Sequence, residues 1–168
     1  MRYNFVTVCL VVLAQVLLCN YLHISFFLTL SLLPVLVLCL PTRYGTIPTL
    51  LFAFATGFAV DFMAEGVLGL NVVALLPVAG LKRTLCTAFF GEELISRNDN
   101  FSFKKYGPAK VIMALAVSQA IFLFFYIWED GGSVVPFSDS LIRWIVSMLC
   151  GLAVCVPIAD MLTKEDNR

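Results

Sequence analysis

Few residues in this chain could do acid–base chemistry. The most unusual are two carboxylates four positions apart, Asp61 and Glu65, in the stretch Gly57-Phe58-Ala59-Val60-Asp61-Phe62-Met63-Ala64-Glu65-Gly66-Val67-Leu68-Gly69-Leu70-Asn71. On one continuous α-helix that spacing puts both on one face, where like charges repel. Such a pair persists if one member is protonated, if one finds a donor, or if Glu65 already lies in headgroup water. Two readings stay open. In one, the pair is a proton or cation site or a polar anchor for another helix, since ionisable residues inside a span usually carry function. In the other, Asp61 lies within a turn of the outer surface and accepts hydrogen bonds from the start of the next helix or from Asn71. The structural or interhelical role is favoured, because no intramembrane Lys or Arg offers either carboxylate a partner.

Other reactive side chains offer less. His23 is the single histidine, so no Ser/His/Asp set is available, and GxSxG, HExxH and GxxxxGK[ST] are absent. Cys9, Cys19, Cys39, Cys86, Cys150 and Cys155 contain no CxxC pair, and five lie in apolar stretches where a thiol behaves as a small hydrophobe. Neither a metal nor a cofactor is expected, and neither is an enzyme. Ser118 and Gln119 read as polar glue between helices.

The elements that must position these groups are membrane spans. Hydrophobic residues make up 61% of the 168 and charged residues 13%, with a mean hydropathy of +0.96. That is too little polar surface to cover a soluble globule. Lys plus Arg and Asp plus Glu are 11 each, so no charge excess points to nucleic acid. Residues 3–42 contain no Asp, Glu, Lys or Arg, which is room for two spans of about 20 residues. A polar break at Asn20-Tyr21-Leu22-His23 divides them. The expected fold is an all-α, polytopic helical membrane bundle, a single domain of about six transmembrane helices near 3–20, 24–41, 47–64, 67–82, 109–128 and 140–161. The first stretch has no A-x-A-like exit and reads as a retained span. Period-2 alternation is missing, which disfavours a β-barrel. Pro34, Pro77 and Pro157 fall inside spans, and Gly57, Gly69, Gly80 and Gly151 would allow helices to approach closely.

Orientation follows from the basic residues. With both termini cytoplasmic, the inner segments hold ten of the 11, and the outer ones keep only Arg143 beside Glu65, Glu129, Asp130 and Asp139. The cytoplasmic loop 83–108 is the longest polar surface. Its Thr84–Phe90 portion reads equally as an interfacial helix or as part of a solvated linker.

Gly57-x-x-x-Asp61 followed by Leu68-Gly69-Leu70-Asn71, with a fourth span ending in basic residues, resembles MreD, the rod-shape-determining membrane protein family of bacteria. Length, span number and termini agree with that family over most of the chain, whereas the motif covers about 15 residues. The resemblance implies a small inner-membrane scaffold of the cell-elongation, peptidoglycan-synthesising machinery. Its implied partners are MreC-like and MreB-like proteins and the wall-synthesis glycosyltransferase/transpeptidase pair, with Gly57, Asp61, Glu65, Leu68, Gly69 and Asn71 as candidate structural or interaction residues. Glu65 and the 83–108 loop have no clear counterpart in the family. The competing reading is the substrate-binding membrane subunit of an energy-coupling-factor-type vitamin or metal importer, a six-helix bundle to which the family is similar in fold. That role needs several convergent polar groups, of which Asp61, Glu65, Asn71 and His23 are the candidates. Because Asp61 lies deeper in the span, Asp61→Asn should lower accumulation or complex assembly more than Glu65→Gln, as read by membrane immunoblot and co-purification.

Overall fold

In the computed structural model, described over residues 5–21, 29–42, 44–65, 68–91, 107–131 and 137–164, all regular structure is helical. The helices are α1 (Phe5–Tyr21), α2 (Leu33–Cys39), α3 (Thr46–Val60), α4 (Leu70–Phe90), α5 (Pro108–Gly131) and α6 (Phe137–Lys164). A π-helical turn, Asp61–Glu65, prolongs α3. Four helical segments are long and apolar enough to cross a membrane: Thr46–Ala64, Leu70–Phe90, Pro108–Gly131 and Ser138–Leu162. The apolar stretch Thr7–Asn20 within α1 is shorter.

The second stretch departs from the uniform span expected near 24–41. Residues 29–32 are non-helical, and α2 covers only seven residues. Pro34 contributes to this break: it has no N–H to give the carbonyl of Leu30, and its ring crowds that carbonyl, which weakens helical pairing there. Proline alone does not decide it, since α4 and α6 run through Pro77 and Pro157. The short helix starts at Leu33, with Pro34 in its first turn, where the missing donor costs nothing. All seven α2 residues are buried, and α2 contacts each of the five other helices. It is the centre of the bundle.

Around it, α4 packs most extensively on α5 and α3, and α5 on α6. The core consists of Leu32, Leu33, Leu36 and Leu38 against Leu75, Leu115, Phe122 and Leu123. α4 is longer than the expected span 67–82. It continues without a break through Lys82 and Arg83 to Phe90, so the first part of the 83–108 loop is helical. The rest of that loop, from 92 to 106, lies outside the described residues, as does His23. Lys82, expected at the end of the fourth span, lies within the continuing helix and is 5% exposed.

The four glycines expected to permit close approach divide into two pairs. A Cβ on Gly57 would sit 3.0 Å from the Val72 Cα, and one on Gly151 would sit 2.7 Å from the Gln119 amide nitrogen, whereas Gly69 and Gly80 have open space beside them. Gly57→Ala should therefore push α3 from α4 and cost about 1–3 kcal/mol. Gly80→Ala should be neutral or slightly stabilising, because it removes only helix-weakening glycine entropy. Unfolding of the two variants in mixed micelles checks the contrast.

Candidate functional site

Two places in the fold concentrate buried polar side chains. The first is the α3–α4 turn. Four residues of spacing put Gly57 and Asp61 on one face of α3, and Gly57 lets the start of α4 lie directly against that face. Asp61 is fully buried. Its Oδ1 accepts the backbone N–H of Asn71 and the Asn71 side-chain amide, both at 2.9 Å. Its Oδ2 accepts the N–H of Gly69 at 2.9 Å and that of Val72 at 3.4 Å. These four donors match the roughly four acceptor sites of an ionised carboxylate.

Local sequence makes this arrangement necessary. The residue preceding α4 is Gly69 at φ +106°, a left-handed conformation that favours glycine, and glycine brings no side-chain acceptor. The first N–H groups of α4 would stay orphaned in the bilayer. Asp61 supplies from the preceding helix what an N-cap Ser or Asp usually supplies locally, and its charge faces the positive end of the α4 dipole. Of the two readings left open, the hydrogen bonds to the next helix's start and to Asn71 are present in the structure.

The other candidates fall out unevenly. Gly57, Asp61, Gly69 and Asn71 come together, whereas Leu68 is 61% exposed and takes no part. Glu65 closes the π-helical turn, whose register differs from the α-helical spacing assumed for the pair, and its side chain lies outside the described residues.

The second place is the non-helical segment 29–32, held by side chains from three helices. Gln15 of α1 acts as a surrogate peptide, accepting the N–H of Leu32 at 2.7 Å and donating to the Leu30 carbonyl at 3.1 Å. Gln119 of α5 donates to the Ser31 carbonyl at 3.3 Å, close against Gly151. On α6, Ser147 Oγ accepts the Thr29 N–H at 2.9 Å, and the Arg143 guanidinium donates to Thr29 Oγ1 at 3.0 Å. Arg143 also pairs with Asp130 at 2.6 Å. Thus Gln119 joins α5 to segment 29–32 and meets the Cys155 thiol of α6 at 3.9 Å, while Ser118 donates to the Leu115 carbonyl of its own helix. Gln15, Ser147 and the Arg143–Asp130 pair were not singled out by sequence reasoning. A glutamine in an otherwise apolar span was the available signal for Gln15.

Chemically, both places immobilise backbone. Among the described residues no group of three His, Cys, Asp or Glu side chains is arranged to hold a metal ion. Comparisons with protein-family models, curated proteins and solved structures return no match.

Asp61→Ala leaves three backbone N–H groups without an acceptor and should cost about 3–5 kcal/mol. Asn71→Ala removes one donor while leaving the cap intact, and should cost about 1 kcal/mol. Denaturant titration of the two purified variants measures the difference. Equal losses would show that the carboxylate does not hold the start of α4.

Proposed function

We propose that the protein is a non-enzymatic scaffold or regulator of bacterial cell shape. It would sit in the inner membrane with six spans and both termini cytoplasmic, and act in the cell-elongation machinery through helix–helix contacts. The observation that carries this reading is the direction in which the buried polar groups point. Asp61, Gln15, Gln119 and Ser147 all give hydrogen bonds to the chain's own backbone or accept them from it. A carboxylate already saturated by four N–H donors has little left for a solute.

Packing surface is present on α6, where Leu141, Ile142, Ile145 and Leu149 are exposed along one stripe. The resemblance of Gly57-x-x-x-Asp61 and Leu68-Gly69-Leu70-Asn71 to MreD supplies the partners: MreC-like and MreB-like chains and the glycosyltransferase/transpeptidase pair. The orientation rests on the charge bias.

One observation favours the importer reading. Broken helices often mark the binding site of a transporter, and residues 29–32 break the second stretch. Four of that segment's backbone groups, however, the Thr29 and Leu32 N–H and the Leu30 and Ser31 carbonyls, are taken by Gln15, Gln119 and Ser147.

Depletion followed by microscopy tests the proposal. Rounding or swelling of cells, with co-purification of an MreC-like partner, is the expected result. A growth defect relieved by one excess nutrient, with recovery of a paired ATPase module, would overturn it in favour of import.

A further inference from the structure

Lys82 is a buried cation that the scaffold reading does not use. Its ammonium has three N–H bonds to give, and one goes to the Leu40 carbonyl at 2.6 Å. Among the described residues no carboxylate pairs with it, and its electrostatic neighbours are the thiols of Cys39 and Cys86. Lys82 lines a cavity of about 60 Å³ together with Arg83, Tyr44, Gly45 and Thr46, roughly the room of two water molecules or one small tetrahedral anion. The cavity lies at the start of α3, whose cap residue Gly45 provides no side-chain acceptor, so the positive end of that helix dipole adds to the two cations.

The depth of this cavity follows from helix pairing. Gly57 packs on Val72 and the two helices run antiparallel, so Thr46 is level with Arg83. The cations therefore sit level with the start of α3.

A second, apolar cavity of about 650 Å³ runs between α1 and α3, lined by Val12, Pro48, Phe52, Ala55 and Met63. From Pro48 to Met63 it extends about 22 Å along α3, against about 15 Å for the hydrocarbon of one leaflet. Tyr44 lines both cavities, and Leu40, which lines the apolar one, gives its carbonyl to Lys82. An apolar groove alone would suit a packing helix equally well. The cationic cavity at its mouth selects a ligand with a phosphate at one end and a hydrocarbon chain at the other.

We propose that the chain binds a phospholipid, with the phosphate against Lys82 and Arg83 and an acyl chain in the groove between α1 and α3. The lipid would close the open seam beside α1 and offset the charge of Lys82.

The test uses the full chain, delipidated in detergent, with binding of phosphatidylglycerol followed by native mass spectrometry. Diacylglycerol with the same acyl chains and inorganic phosphate are the two controls. Arg83→Gln removes an exposed cation, and Ala55→Phe fills the groove from an exposed position, so neither should disturb folding as the buried Lys82→Met could. The expected result is retention of phosphatidylglycerol by the wild type, weakened about tenfold or more in each variant and for diacylglycerol. Equal binding of diacylglycerol would reduce the site to an apolar groove, and equal binding of inorganic phosphate would make it a soluble-anion site. Either result, or unchanged phosphatidylglycerol binding in both variants, overturns the proposal. None of these outcomes depends on whether the protein acts in cell shape.

Discussion

Hydrocarbon offers no water to a broken helix, so each backbone N–H or carbonyl released from helical pairing must find a partner within the protein. Two of the places where this chain breaks helical pairing among its described residues are segment 29–32 and the turn into α4. Much of its buried polar content is committed to those two breaks. Asp61 takes three amides of the α3–α4 turn, while Gln15, Gln119 and Ser147 take the exposed groups of the broken segment. Both devices join elements distant in sequence, so local backbone repair also fixes how helices sit against each other. Gln119 alone connects α5 to residues 88 positions away.

Small residues stand where this requires backbones to meet. Gly57 admits the start of α4 beside Asp61, and Gly151 admits the Gln119 side chain. Without a hydrophobic force between helices in lipid, association depends on such close packing and on hydrogen bonds across it. The bundle centres on a helix of seven residues, too short to be stable alone. α2 is held by burial on all sides.

Charge is distributed differently at the two ends of the bundle. At one end Arg143 is neutralised by Asp130 and bonded to Thr29, a closed network at a helix-pair junction. At the other, Lys82 and Arg83 line a cavity, and Lys82 donates to the Leu40 carbonyl. Lys82 and Arg83 come beside the start of α3 because α4 runs past the level at which α3 begins.

Composition and the absence of charge over residues 3–42 already determined a membrane-embedded helical chain, since lipid admits so few alternatives. One of the two readings open for Asp61 was also legible, because a carboxylate near the end of one span can accept hydrogen bonds from the start of the next or from Asn71. The shared face with Glu65 was not, because the α-helix gives way to a π-helical turn at Asp61. What only the tertiary structure decided were the pairings across large sequence separations: Gln15 with the Leu30 and Leu32 backbone, Gln119 with Ser31, and Arg143 with Thr29. The unwinding of 29–32 belongs with them. Pro34 can end a helix, but whether a chain in lipid tolerates the break depends on acceptors and donors brought from α1, α5 and α6. Lys82 likewise looked like the basic end of a span, because hydropathy records that a charge is present and not which face of a continuing helix it occupies.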